Sequence, residues 1–473
     1  MKERNNSSEA PPIIAGRLIQ GTWIIIFLIS STATAIGVFG ATHLRMLNDD
    51  YWHAFVSERG FIGAMKEWWV TTSGDLFAMG SNTLLNGLPL VHFSWPLTSF
   101  VPYMTTFIVV GVTGVVVITR FSVWRTIGLR YVAALGLLFS FTWWVFLWTP
   151  LINSDSPRTQ IVLGMTHWQN LNTAYVIPPA TLLVIYLILR RSSLGGWKEK
   201  IASYVLGVLV GLSGMVIGTT TIIWMLLAAF LIWLSGIATT RSRLVQGFLI
   251  LLGSASGLVL SYSSPGSRNR ASQIGPEFDT SIQGIFGLSR VFIQGGQDIF
   301  SSLWHPGTLL VALIIFPLVS ISSTVLPFAI SANKIWATSA SLAAFAVVFA
   351  IVNRLSEVWI GASWWHTTTL QLLLYLALIT GSCATGLSVA SKLDPRRILT
   401  LAVVSMVSAT IGVGAVQIST QSMIDRENEW SAGPAVIPIL GWDIDVIEGW
   451  QYFYWTKIME FRDTPDRLGF LDD

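Results

Sequence analysis

Long apolar runs recur along almost the whole chain, and they limit its fold more than any other feature. A run of about 18 or more apolar residues is long enough to cross the hydrocarbon core of a bilayer as a helix. Only 11% of the residues are charged, whereas soluble globular proteins carry about a quarter. The sequence therefore predicts an all-α polytopic membrane protein built as one membrane domain.

The apolar runs predict about eleven transmembrane helices. The first run is too long to be the apolar part of a signal peptide, so we expect it to be a membrane span. Residues 1–17 precede the transmembrane domain, 18–419, and are expected to form a disordered cytoplasmic tail. The predicted spans lie near 18–41, 100–119, 131–149, 171–189, 201–218, 219–237, 244–262, 307–323, 336–352, 367–388 and 398–419.

Basic residues are concentrated in every second loop between the predicted spans, and this pattern predicts the orientation of the chain. With a cytoplasmic amino terminus, five cytoplasmic loops carry Lys and Arg, and the cytoplasmic side holds only four of the 25 acidic residues, namely Glu3, Glu9, Glu199 and Asp394. This is the positive-inside pattern. It predicts a multi-pass protein of the plasma membrane whose working surface is extracytoplasmic. The polar segments on that outer face are then 42–99, 150–170, 263–306, 353–366 and 420–473.

Two adjacent acids, Asp49 and Asp50, follow the first predicted span by a few residues. Adjacent carboxylates raise each other's pKa, and a carboxylate near an apolar boundary can act as a general base. Alternatively, Asp is a favoured N-cap residue and either acid could begin the next helix. We favour Asp50 as the base, because Asp49 is better placed as the cap.

The rest of the first outer loop divides into two parts. Residues 52–70 are rich in Trp, with apolar residues at rough helical spacing, which predicts a helix lying in the membrane interface. Residues 73–92 are polar, contain glycines and are too long for a simple connection. We expect them to form a functional loop, with a purely structural Ω-like loop as the alternative. The acidic, aromatic segment 420–473 is expected to pack on these loops.

A second polar motif, Ser264-Pro265-Gly266 followed by Arg268 and Arg270, lies at the outer end of the seventh predicted span. Pro-Gly predicts a turn. Arginine on the outer face runs against the positive-inside bias, and its planar fork suits phosphate or carboxylate. The motif therefore predicts a phosphate site, with a surface ion pair or a lipid-headgroup contact as the alternative.

The outer segments also combine Trp with imidazole, amide and guanidinium groups. Aromatic residues gather at membrane interfaces for anchoring alone, but anchoring does not explain the polar partners. Ring faces together with hydrogen-bonding groups suit a sugar. The candidates for sugar or acceptor contacts are His53, His92, His167, Trp168, Asn170, Arg354 and His366. No HxH or HxxxH spacing indicates a metal, and the single cysteine, Cys383, is expected to be a packed apolar residue.

A first span followed at once by an Asp-Asp pair, an interfacial helix and many further spans resembles the GT-C superfamily of integral-membrane glycosyltransferases. The run Ser-Pro-Gly-x-x-x-Arg at 264–270 is similar to a pattern in bacterial relatives of that superfamily. The resemblance implies a polyprenyl-phosphate sugar as the donor and a carboxylate at Asp49 or Asp50 as the base. Arg268 and Arg270 would hold the donor phosphate.

The expected reaction is therefore an inverting sugar transfer from a polyprenyl-phosphate donor to a glycan, lipid or protein acceptor of the cell envelope. It needs no cofactor, and a divalent metal is not indicated. The expected partners are the donor, the acceptor and membrane lipids, and not nucleic acid. The alternatives are a transporter or flippase of lipid-linked glycans, a polysaccharide polymerase or ligase, and a non-catalytic assembly partner. Few ionisable residues within the predicted spans, and the lack of a detectable internal repeat, argue against ion-coupled transport.

Overall fold

A computed structural model describes eleven parts of the chain: 11–42, 53, 56–92, 97–119, 129–147, 169–191, 196–235, 240–268, 283–324, 331–360 and 367–432. Helices make up the regular structure of these parts, and no strand occurs in them. The all-α class predicted from the apolar runs is confirmed.

Eleven helices in the described residues form the bundle, and shorter helices pack around it. The bundle helices are α1 (Pro11–Ala41), α5 (Leu97–Thr119), α6 (Leu129–Leu147), α8 (Ile177–Arg191), α9 (Trp197–Gly211), α10 (Met215–Ser235), α11 (Arg241–Ser263), α13 (Pro306–Ser322), α14 (Ala332–Ile360), α15 (Thr367–Val389) and α16 (Pro395–Ala432). The remaining helices are α2 (Gly60–Glu67), α3 (Leu76–Asn82), α4 (Leu88–His92), α7 (Gln169–Tyr175) and α12 (Gln283–Leu303).

Eight helices in the described residues are long and apolar enough to cross a membrane, which is the architecture of a polytopic membrane protein. A ninth span arises if α12 and α13, bent by 58° at Trp304-His305, are counted as one. The predicted runs near 131–149 and 201–218 correspond to α6 and to α9, which has only 15 residues. The full count of eleven, and the membrane face on which the amino terminus lies, stay predictions.

Two segments expected as outer loops are helical. Most of 73–92 forms α3 and α4, joined by a π-helical turn at Thr83–Gly87. The buried side of this stretch mixes the apolar Ala78 and Met79 with the polar Asn82 and Thr83, so the sequence shows no continuous apolar stripe. Within 263–306, α12 is amphipathic: Val291 is buried, whereas Phe292, Ile293 and Phe300 are exposed.

The first and last helices also extend beyond the predicted boundaries. Helix α1 begins at Pro11, within the segment expected to be a disordered tail. Proline is favoured in the first turn of a helix because its missing N–H would be unpaired there anyway. Helix α16 continues to Ala432, past the predicted limit of the membrane domain. Residues 433–473 lie outside the described residues, as do 1–10.

Close packing of two glycine pairs joins α9 and α11 in parallel. A Cβ at Gly207 would lie 2.3 Å from the Ile250 carbonyl oxygen, and one at Gly211 would lie 2.5 Å from the Ser254 carbonyl oxygen. Small residues let helix backbones approach closely inside a membrane, where little hydrophobic force acts between helices. Because the pair is parallel, the ends of α9 and α11 lie at the same end of the bundle. This arrangement positions the candidate site.

Candidate functional site

Hydrogen bonds between distant segments bring the predicted outer-face segments together at one end of the bundle. Phe77 N–H donates to the Leu212 carbonyl at 2.9 Å, and Thr369 Oγ1 donates to the Tyr175 carbonyl at 2.7 Å. Gln371 Nε2 donates to Ser302 Oγ at 2.6 Å. We call this the polar end; it comprises 73–92, 172–175, 212, 261–268, 302–308 and 367–371. Segments that are far apart in sequence therefore share one surface.

The centre of the polar end is a junction between the turn Gly74–Asp75 and the end of α11. Gly74 N–H donates to Ser267 Oγ at 3.0 Å, and Ser261 Oγ donates to Asp75 Oδ1 at 2.8 Å. A Cβ at position 74 would lie 2.1 Å from the Ser261 carbonyl oxygen. Only glycine allows this approach, since the blocking atom belongs to backbone that cannot move aside.

Arg268 extends from this junction. Ser264 Oγ donates to Ser267 Oγ at 2.8 Å and accepts the Ser267 N–H at 3.1 Å. The Arg268 N–H donates to the Ser264 carbonyl at 3.2 Å, which fixes the backbone beneath the guanidinium. The side chain itself is exposed and, among the described residues, makes no ion pair. The junction thus combines a half-buried carboxylate, a hydrogen-bonded group of serines and, at the end of the same segment, an exposed arginine.

His53 belongs to a buried network that holds the first outer segment to α7. Its ring packs against Trp68 with 4.5 Å between centroids and the planes tilted by 37°, and the Asn82 amide nitrogen lies 2.7 Å from its Nε2. Thr173 Oγ1 donates to Asn82 Oδ1 at 2.7 Å. Burial lowers the pKa of His53 to about 3, so the ring is neutral and accepts from the amide. In this conformation His53 joins helices, and its predicted contact with a sugar stays a prediction.

Arg354 forms a two-point ion pair rather than an open contact. Its Nε and Nη2 donate to Oδ2 and Oδ1 of Asp298, both at 2.6 Å. The two side chains are only 25% and 14% exposed. The pair connects α12 to α14 close to the bend between α12 and α13. Parallel bonds of this kind fix orientation as well as charge, so Arg354 positions α12.

The bend itself is built on His305. Its ring lies edge-on to Phe146 with 5.3 Å between centroids, and its Nε2 lies 2.7 Å from Thr308 Oγ1 and 2.9 Å from the Ser302 carbonyl. A Cβ at Gly307 would lie 2.3 Å from the Val145 carbonyl oxygen. The break between α12 and α13 is therefore a packed, polar feature at the polar end.

Two buried donors lie beside the last turns of α1. The rings of Tyr103 and Trp144 pack 4.9 Å apart, and a Cβ at Gly37 would lie 4.0 Å from Trp144. Among the described residues, neither the Tyr103 hydroxyl nor the Trp144 Nε1 has a hydrogen-bond partner. Buried donors of this kind usually bind a partner, so the cluster is suited to a polar group of a ligand or a water.

Comparison with known families, curated proteins and solved structures gives no match to this chain. The case for a function therefore depends on the geometry of the polar end. No group of three His, Cys, Asp or Glu that could hold a metal occurs in the described residues.

The remaining sequence candidates divide into three groups. His92 is exposed at the end of α4. Asn170 lies in α7. Outside the described residues lie Asp49, Asp50, Arg270, His167, Trp168 and His366.

Sequence reasoning did not single out Asp75 or the serines of the α11 junction. Asp75 was only one member of a polar stretch, and serines are common at helix ends. A weak signal was present, because Gly74-Asp75 and Ser264-Pro265-Gly266 each combine a glycine with a polar residue at a predicted boundary. Only their contact distinguishes them from ordinary turns.

Proposed function

We propose that the protein is an integral-membrane glycosyltransferase that moves a sugar from a polyprenyl-phosphate donor to an acceptor on the outer face of the membrane. The observation that supports this most is the docking of the Gly74–Asp75 turn on Ser261 and Ser267. It joins the segment after the Asp pair to the arginine-bearing motif, which are separated by about 190 positions in the chain. The proposal is that a base from the first predicted outer segment and a phosphate site at the α11 motif act together at this end of the bundle.

The donor phosphate binds Arg268 in this proposal. Arg268 follows directly on the last turn of a helix that is apolar enough to cross a membrane. A polyprenyl chain keeps the phosphate at the same boundary between lipid and water. The exposed guanidinium offers its fork to phosphate oxygens, and Arg270 adds a second positive charge.

The acceptor is activated by Asp50, with Asp49 as the other candidate. Both acids lie between Ala41, the last residue of α1, and His53, which is anchored to Trp68 and Asn82. The base removes the proton of an acceptor hydroxyl, whose oxygen attacks the anomeric carbon. The bond from that carbon to the phosphate oxygen breaks, and the leaving polyprenyl phosphate carries a negative charge that Arg268 stabilises. One displacement inverts the anomeric configuration.

The test is a transfer assay on the purified protein in lipid nanodiscs with synthetic polyprenyl-phosphate sugars. Asp50→Asn is expected to reduce transfer by a factor of roughly 10² to 10⁴, which is the contribution of general-base catalysis. Asp394→Asn, an exposed acid before α16, is the matched control and should retain full activity. If Asp49→Asn and Asp50→Asn both transferred at the parent rate, the assignment of the base would be wrong.

Transport of a lipid-linked glycan is the second candidate function, and the break between α12 and α13 favours it. Broken helices line the substrate sites of many transporters, and here the break carries His305 among hydrogen-bonding groups. A liposome assay separates the two functions: movement of a fluorescent lipid-linked glycan between leaflets without an acceptor would indicate a flippase. Comparison of mono- and oligosaccharide donors separates transfer from polymerase or ligase activity.

A further inference from the structure

A cavity of about 340 Å³ lies between the first turns of α9 and α11. Because these two helices are parallel and their last turns lie at the polar end, the cavity lies at the opposite end of the bundle. Its lining includes Glu199, Lys200, Ser203, Arg241, Ser242 and Gln246. None of these residues belongs to the candidate site described above.

The charges around the cavity favour an anion. Lys200 and Arg241 are exposed, and neither forms an ion pair with another residue in the described part of the chain. Glu199 is the opposing charge in the lining. Two further cations, Lys198 and Arg243, stand on the same first turns, so the local balance is positive.

The start of α11 adds backbone donors to these charges. The Thr240 side chain makes no capping hydrogen bond, and the first N–H groups of a helix lack partners within it. Such N–H groups, with the positive end of the helix dipole, favour an anionic group such as phosphate. Arg241 and Ser242, the first residues of α11, line the cavity.

Gln246 provides an independent indication of a ligand. Its side-chain nitrogen is buried, and within the described residues it has no hydrogen-bond partner. A buried amide that donates to nothing is costly. An acceptor oxygen inside the cavity would satisfy it.

An apolar surface continues from the cavity along both helices. The side chains of Ile201 and Val205 on α9 are 52% and 46% exposed, and Phe248 on α11 is 60% exposed. Trp197, 66% exposed, stands at the first turn of α9, as Trp does at membrane interfaces. The acyl chains of a lipid can pack on such an apolar surface, whereas a free phosphate gains nothing from it.

We propose that this cavity binds the anionic headgroup of a membrane phospholipid. The phosphate contacts Lys200, Arg241 and the Gln246 amide, and the acyl chains lie along the exposed apolar side chains of α9 and α11. The site is separate from the proposed sugar transfer and does not depend on it.

The experiment is native mass spectrometry of the full-length protein released from nanodiscs that contain phosphatidylglycerol and phosphatidylcholine. The parent protein should retain phosphatidylglycerol in preference to phosphatidylcholine. A basic residue near an anionic headgroup contributes about 1 kcal/mol, so the double variant Lys200→Gln/Arg241→Gln should bind phosphatidylglycerol about thirtyfold more weakly. The matched control, Lys392→Gln/Arg396→Gln, removes two exposed cations just before or at the start of α16 and should bind as the parent does.

Gln246→Leu provides a second test that leaves the charges in place. Loss of one hydrogen bond should weaken phosphatidylglycerol binding by about fivefold. If the double variant failed to give a monodisperse helical protein, this variant would decide the question.

Three outcomes would overturn the proposal. Equal losses in the double variant and in the α16 control would mean that general surface charge retains the lipid. Equal retention of phosphatidylcholine would mean that no anionic site exists. Displacement of the lipid by inorganic phosphate or glycerol 3-phosphate at matching concentration would assign the cavity to a free phosphate.

Discussion

The imidazole of His53 illustrates how a residue in the first outer segment depends on its surroundings. It packs against Trp68 and accepts a hydrogen bond from Asn82, and a charged ring there would lose its hydration without gaining an acidic partner among the described residues. Burial therefore lowers its pKa to about 3. The ring remains neutral in the folded protein throughout the physiological range.

A pH dependence of stability follows from this pKa. Above the unfolded pKa of about 6.5 the ring is neutral in both states. As the pH falls from there toward 3, His53 is protonated in the unfolded chain but stays neutral in the folded protein. The free energy of unfolding therefore decreases by about 1.4 kcal/mol per pH unit. Unfolding of the protein in detergent should show this slope, and His53→Asn should lose it.

The control for that measurement is His92→Asn, since His92 is exposed. This variant should keep the parent slope. An identical slope in the parent and in His53→Asn would mean that other groups cause the acid sensitivity.

Among the elements, α12 is held to α14 by an ion pair. Arg354 holds Asp298 through two bonds of 2.6 Å in a half-buried site, and Gly295 of α12 lies beside the Ala350 backbone of α14, where a Cβ would make an ordinary contact at 3.5 Å. The exposed Phe300 and Trp304 stack on one another on the other side. Helix α12 thus directs Asp298 and Val291 toward the bundle and a pair of exposed aromatic rings away from it.

Asp298→Asn should destabilise the protein by roughly 1 to 3 kcal/mol, because the half-buried Arg354 guanidinium would lose its two charge-assisted bonds to this carboxylate. The exposed pair Arg397–Asp394, whose side chains are 66% and 53% exposed, is the comparison. Asp394→Asn should change stability by less than about 0.5 kcal/mol. Thermal unfolding in the same detergent measures both, and equal effects would show that burial of the Arg354 pair contributes nothing.

For the whole molecule, charge distribution and helix packing lead to the same division into two ends. The basic first turns of α9 and α11 lie at one end, and the junction of Asp75 with Ser261 lies at the other. The positive-inside pattern predicts that the basic end is cytoplasmic. The candidate site then faces outward.

Cysteine labelling in intact cells tests this orientation. The only native cysteine, Cys383, is 2% exposed and should react little. A membrane-impermeant maleimide should label Ser263→Cys in intact cells, because that position is at the polar end. It should label Arg396→Cys only after the membrane is permeabilised, and the reverse result would invert the predicted topology.

The sequence alone was sufficient for the class of the molecule. Helical membrane spans follow from the hydropathy of each segment taken by itself, because every apolar run must satisfy its own backbone hydrogen bonds in lipid. Each predicted run overlaps a helix in the described residues, although the run 201–218 extends past the end of α9 at Gly211 into the start of α10. The sequence was insufficient for 73–92, since polar residues such as Asn82 interrupt its buried side and the helix is stabilised by partners on other segments, such as Thr173.

Only the tertiary structure decided which distant residues pair with one another. The contact of Gly74 with Ser267, the ion pair of Arg354 with Asp298 and the burial of His53 are properties of two segments at once, and no local pattern carries them. Apolar runs determined the helical class of a membrane protein, and the loop charges predict which segments face outward. The packing of α9 on α11 then decided which residues of the polar end meet, because close glycine contacts fix the position of the α11 end that receives the Gly74–Asp75 turn.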